Sequence, residues 1–330
     1  MSNSAWFLTV SALSVTFALA AGAQTPKRIT VSIVKNRTEG PAVMERGLAD
    51  RLGGLGCDVA PTSTVELTPE EDRQYGAWNK AALESRHING LVARASGSDL
   101  VIGLLTNCSD LLGMLAGLQR PALEADARPA GSVVGLAGVK PRRVGLVWID
   151  AHADFNTPET TLSGMLGGMP VAIASGMCLT RHRLVTGLDP ALPTRYITMV
   201  GLRDVDPLEQ ELLDRSDCEM LTVEDVRHLT PNITAQIERL ARLTDVIYVH
   251  IDMDVLDPSE VAGHPLTAPE GPTSRELAAA LEVMFRHPKV GALGIASIPF
   301  GERDKDGLSL AAAHRLIDGA AAGVKSRPGR

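Results

Sequence analysis

An α/β fold with a mostly parallel sheet, covered by helices on both faces, is predicted by three features of the chain. Short apolar, β-branched runs recur along it, stretches of helical periodicity lie between them, and two acidic motifs stand at the ends of two of the runs. Alternating strands and helices favour parallel pairing, because each parallel return needs a crossover segment. The runs, in order, are Ile29–Val34, Asp99–Leu105, Val144–Trp148, Arg195–Gly201, Val246–His250 and Val290–Ile295. Pro41–Leu52, after the first run, repeats apolar residues at 3.6-residue spacing. Thr273–Phe285, before the last, does the same and opens on Thr-Ser, a capping pair. No repeat, low-complexity tract or linker divides the chain, so residues 24–330 are expected to form one domain.

The acidic motifs carry the chemistry. Trp148-Ile-Asp150-Ala-His152-Ala-Asp154-Phe-Asn156 follows one apolar run, and His250-Ile-Asp252-Met-Asp254-Val-Leu-Asp257-Pro258 follows another. In an extended chain the spacing i, i+2, i+4 places Asp150, His152 and Asp154 on one side, and likewise Asp252 and Asp254. Ligands of parallel sheets sit beyond the carboxyl ends of strands, where both motifs fall. Four carboxylates and an imidazole gathered there repel unless cations lie between them, and a pair of divalent metals resolves the conflict. A single Asp-x-Asp after a strand often does no more than cap a turn. Asp252-Met-Asp254-Val also fits a phosphatase pattern, but too few residues follow it for that catalytic domain.

Composition excludes other classes. The net charge is −7 and aromatic residues are 3% of the chain, with no basic stripe, so no nucleic-acid partner is expected. The acidity suits a cationic substrate. The uncharged apolar run from Ser4 to Ala23 ends in Ala-Gly-Ala, a small-residue cleavage pattern. It predicts a signal peptide over residues 1–23 and an exported, periplasmic or secreted protein with no stable membrane partner. The alternative for that run is a membrane anchor. Four cysteines, Cys57, Cys108, Cys178 and Cys218, show no Cys-x-x-Cys spacing, and two of them could pair in an oxidising compartment.

At its two motifs the chain resembles the ureohydrolase superfamily of arginases, agmatinases and formimidoylglutamases. Trp148 to Pro158 matches the pattern Trp-x-Asp-Ala-His-x-Asp-x-Asn-Thr-Pro, and Asp252 to Pro258 matches Asp-x-Asp-x-x-Asp-Pro. Thr161-Leu-Ser163-Gly164 and Gly201-Leu-Arg203-Asp204-Val-Asp206-Pro207 match further, and the likeness runs from about Ile29 to Val324. The resemblance implies a three-layer α/β/α fold, a homotrimer or hexamer, and two Mn²⁺ ions bridged by Asp150 and Asp252. His152 and Asp254 would complete one metal and Asp154 the other, with Asp252 and Asp254 orienting the attacking water. A pair of such metals lowers the pKa of a shared water for attack on a guanidino or amidino carbon. Asn156, Ser163, Asp206 and His264 fall where the family binds substrate.

Four departures bear on the substrate. Cys108 replaces the ligand His of Gly-Gly-Asp-His-Ser, at the end of a strand that the resemblance places next to the one carrying Asp150, and a sulfur ligand shifts preference from Mn²⁺ toward Zn²⁺ or Fe²⁺. Gly167 stands where arginases carry a proton-shuttling His, and Met165 where they carry Asn. Ser297, or Ala296, stands where the family grips a guanidinium with Glu, which makes arginine itself a poor substrate. His250 replaces the usual Ser; on the same strand face as Asp252, it is a candidate either to hydrogen-bond a metal ligand or to take over the missing His. His264 and Glu270, in the loop after Pro258, are the others placed to restore a lost acid or carboxylate.

Overall fold

Nine parallel strands make one sheet in the computed structural model, which describes residues 28–120 and 140–328. The strands are β1 (Ile29–Lys35), β2 (Cys57–Val59), β3 (Ser63–Thr64), β4 (Leu100–Leu104), β5 (Val144–Ile149), β6 (Ile197–Val200), β7 (Glu219–Leu221), β8 (Val246–Asp252) and β9 (Val290–Ala296). Their order across the sheet is β2-β1-β4-β9-β8-β5-β6-β7, with β3 also pairing β1. Every residue of β4, β5, β6 and β8 is buried, as expected of strands covered on both faces.

Helices Leu48–Gly54, Pro231–Leu243, Ser274–Phe285 and Leu308–Lys325 pack their apolar sides on one face. Ala77–Ala95, Leu111–Gln119 and Pro170–Ala174 cover the other, completing a three-layer α/β/α fold. Thr273 caps its helix through a reciprocal pair with Glu276, as its Thr-Ser start predicts. The helix expected over Pro41–Leu52 is instead two, Glu39–Glu45 and Leu48–Gly54. Gly47, at φ 69°, breaks it in a left-handed conformation that only glycine adopts cheaply.

The apolar run Ser4–Ala23, and with it the expectation of cleavage or anchoring, lies outside the described residues. Among the described residues no helix is long and apolar enough to cross a membrane. All four cysteines are free.

Candidate metal centre

β5 stops at Ile149 and β8 at Asp252, and an aspartate turns the chain at each end. Asp150 Oδ1 accepts from the His152 backbone N–H at 2.7 Å, and Asp252 Oδ1 accepts from that of Asp254 at 3.0 Å. Each carboxylate thus caps a turn with one oxygen, and its other oxygen faces Cys108 Sγ. Capping and clustering are both built into these two residues.

The extended spacing that groups Asp150, His152 and Asp154 in the sequence does not persist past Ile149. Asp154 sits at φ 48°, a left-handed conformation costly for a residue with a side chain. Buried Glu209 holds that loop by accepting from the Phe155 N–H at 2.6 Å, and the Val171 N–H binds the Asp154 carbonyl at 3.0 Å. Loop hydrogen bonds, and not the strand pleat, therefore aim Asp154 into the site.

Cys108 follows β4, and the expectation that its strand neighbours the one carrying Asp150 is not met. β9 and β8 lie between β4 and β5. The sulfur still reaches the centre, because the helical turn Cys108–Asp110 beyond β4 places Sγ 2.8 Å from Asp252 Oδ2 and 4.0 Å from Asp150 Oδ2. Three donor groups result, each with its ligand atoms within 4.8 Å of one another: Cys108 with Asp150 and Asp154, Asp150 with His152 and Asp254, and Asp252 with Asp254 and His264. Asp150 belongs to the first two and Asp254 to the last two. His152 Nδ1 lies 3.2 Å from Asp254 Oδ2 and 3.4 Å from Asp150 Oδ1.

These residues floor a cleft of about 910 Å³. Asn156, Ser163, Asp206 and His264 all line it. Asn156 is committed to the loop, its Nδ2 donating to Asp206 Oδ2 at 3.1 Å and its Oδ1 accepting from the Thr160 hydroxyl at 2.9 Å. Ser163 stands exposed on the rim. His264 goes deeper than a substrate-contacting loop residue: its side chain is 6% exposed, with Nε2 3.7 Å from Asp252 Oδ1 and Nδ1 3.9 Å from Asp254 Oδ2. Glu270 is exposed and off the cleft.

His250 requires a correction. As a group that touches substrate it is excluded by burial: it is 0% exposed and does not line the cleft. Its Nδ1 is 2.8 Å from the Tyr248 hydroxyl, its Nε2 is 3.4 Å from Cys108 Sγ, and its ring stacks on Trp148 at 4.6 Å. Burial drives its pKa down to about 3, so the ring is neutral.

Two supporting residues carry no role in the sequence reading. Glu209 has a legible signal, since Asp206-Pro207 followed by Glu209 has helix-start spacing, and its Oε2 accepts from the Asp206 N–H at 3.3 Å. Arg203 donates to the carbonyls of Gly201, Asp254, Val255, Ala268 and Pro269 and so ties the loop after β6 to the loop carrying His264. Its place in a matched motif is its only signal.

The electrostatics test whether the residues fit metal. Burial first, and then mutual repulsion, push Asp150 and Asp154 well above the usual carboxylate range and Asp252 up to about 6. Asp254 moves the other way, because hydrogen bonding and charge from His152 outweigh its burial. Burial and the nearby carboxylates hold the Cys108 thiol well above its ordinary value. A buried, mutually repelling, oxygen-rich set with imidazole and sulfur donors fits divalent cations.

A pH signature follows. Asp252 ionises near 3.8 when unfolded and about 6 when folded, so its protonated form stabilises the metal-free fold fully below 3.8. That contribution is lost as pH rises through about 6. Thermal melts of metal-free protein should fall across that window, and saturating divalent metal should reverse the trend. A metal-free Tm that climbs with pH there would contradict the assignment.

The arginase-family model matches residues 129–315, more than half of the chain. The chain belongs to the arginase family. An arginase from Entamoeba histolytica is 30% identical over 239 residues, covering 71% of this chain and 75% of that one. An arginase from Bacillus caldovelox is 32% identical over 153 residues, and the match spans only 51% of its length. The fold of Bacillus cereus arginase superposes with a TM-score of 0.73 at 20% identity, covering 89% of this chain and 98% of that one. Within this arginase-family chain the departures have definite places. A Cβ at Gly167 would have nothing within 4 Å, so the cleft wall is open there. Ser297, at φ 62°, donates its hydroxyl to Asp252 Oδ2 at 2.7 Å.

Proposed function

We propose that this protein is a two-metal hydrolase that breaks a C–N bond of a guanidino or amidino compound other than arginine. The observation that carries the reading is the convergence of Cys108, four aspartates and two histidines in three overlapping donor groups at the floor of one cleft. When bound, a pair of divalent metals supplies the Lewis acidity that activates water at neutral pH. The oxygen majority favours Mn²⁺, and Cys108 draws the preference toward Zn²⁺ or Fe²⁺.

The chain's own groups do the rest. Asp252 and Asp254 orient the attacking water through their carboxylate oxygens. His264 lines the cleft with its Nε2 3.7 Å from Asp252 Oδ1, and the protonation of the leaving amine, which arginases give to a His at the Gly167 position, has no imidazole at that place here. Asp204, Asp206 and Glu302 on the walls favour a cationic head group. The apolar Ser4–Ala23 run supports export, and membership of the family supports a homotrimer or hexamer.

The test is metal analysis of purified protein, with urea and ammonia release measured over a panel of guanidino and amidino compounds in Mn²⁺, Zn²⁺ and Fe²⁺. Retained metal with release from a compound other than arginine supports the reading, whereas no metal and no release from any compound overturns it. A second reading, hydrolysis of arginine with substituted catalytic groups, is favoured by the relatives being arginases, and the same panel separates the two.

A further inference from the structure

Behind the centre, on the side away from the cleft, three side chains form a line that ends on the one sulfur donor. Tyr248 and His250 project from the same face of β8, and Cys108 lies beyond them. The Tyr248 hydroxyl is 2.8 Å from His250 Nδ1, and among the described residues it has no other hydrogen-bond partner. A buried phenol must place its single proton on an acceptor, so it donates to Nδ1. That puts the imidazole proton on Nε2, which faces Cys108 Sγ at 3.4 Å. The thiol's own proton points elsewhere, to Asp252 Oδ2 at 2.8 Å, leaving sulfur lone pairs toward His250. Trp148, stacked on the imidazole at 4.6 Å and 8° between planes, fixes the ring's tilt. Gly294, opposite His250 on β9, leaves room for the phenol: a Cβ there would come within 2.0 Å of the hydroxyl.

We infer that Tyr248 and His250 are positioning residues that hold a hydrogen-bond donor against Cys108 and so make its sulfur a standing metal ligand. An N–H···S bond withdraws charge from a bound sulfur, fixes its direction and leaves its metal-facing lone pairs free. His250 thus acts from behind the ligand and not upon substrate. The inference rests on the metal-centre reading above and extends it to the residues that tune one ligand.

Co²⁺ is the probe, because a cobalt–sulfur bond gives a charge-transfer absorption that oxygen and nitrogen ligands do not. The full-length wild-type protein should show this band, and Cys108→Ser should abolish it. Tyr248→Phe changes almost no volume but frees the imidazole proton to move to Nδ1. It should weaken Co²⁺ binding by roughly 10-fold and shift the band to lower energy. His250→Leu should weaken it by up to roughly 100-fold, and His250→Gln, whose amide can still donate, should restore much of the loss. Urea unfolding identifies any His250→Leu failure as one of folding, and Tyr248→Phe then carries the test. An unshifted band with unchanged affinity in Tyr248→Phe, or a wild-type protein with no band, overturns the inference. A substrate panel that yields no product would count against the hydrolase reading while leaving these spectra untouched.

Discussion

Asp150→Asn should strip divalent metal from both halves of the centre and lower hydrolysis on the order of 10³-fold or more, equivalent to about 4 kcal/mol. Asp150 is the carboxylate shared by the sulfur-containing donor group and the His152 group. An asparagine keeps the oxygen that caps the His152 N–H, so the turn survives. It also removes the charge and presents an amide where a cation must bind. Asp154, which belongs to one donor group alone, should behave differently, its Asn variant losing about half of the metal. Metal content per chain after gel filtration reads both. Equal loss in the two variants, or full retention in Asp150→Asn, would remove Asp150 from the shared position. The metal-free Asp150→Asn protein should also melt higher than metal-free wild type, since burial and three neighbouring carboxylates work against ionised Asp150. Such opposite movements of stability and metal binding mark a residue kept for function at a cost to the fold.

The parts of this molecule that were legible in the sequence are those set by local pattern. β5 and β8 announce themselves by continuous apolar runs, and the helix after Thr273 by its cap and period. The edge strands β2, β3 and β7 span three, two and three residues, too short for any periodicity to show. The helix Ala77–Ala95 is longer than any read from the sequence, yet its buried Ala82, Leu83, Ile88 and Val92 are spread among polar residues that dilute the stripe. Sheet order is tertiary information, which is why Cys108 is expected beside β5 when it arrives from β4, with two strands between them. The acidic motifs identified the centre because family likeness and charge repulsion point to the same residues. His264 lines the cleft and His250 does not, for a reason no spacing encodes. One is carried inward by a loop that Arg203 ties down, and the other is walled off by Tyr248, Trp148 and Cys108.

Arginine turnover should fall well below the ~10 s⁻¹ ordinary for enzymes, even with Mn²⁺ saturating. The missing groups act on the transition state: a carboxylate that grips the guanidinium and an imidazole that protonates the leaving amine. In their places stand Ser297, whose hydroxyl is already spent on Asp252, and Gly167, where the wall is bare. Both losses should therefore appear in kcat as well as in kcat/KM. Ser297→Glu alone should not rescue the reaction. It deletes the 2.7 Å hydrogen bond to Asp252 Oδ2 and sets a further carboxylate beside a group already pushed up to about 6. It also leaves proton delivery at Gly167 unrepaired. The double variant Ser297→Glu with Gly167→His supplies both groups, and a Cβ at Gly167 meets nothing within 4 Å. Arginine turnover measured by urea release should rise in the double variant beyond the product of the two single effects, since grip and proton transfer serve one transition state. Ordinary arginine turnover by the unmodified chain would instead mean that His264 already supplies the proton and that Asp206 or another wall carboxylate already holds the guanidinium.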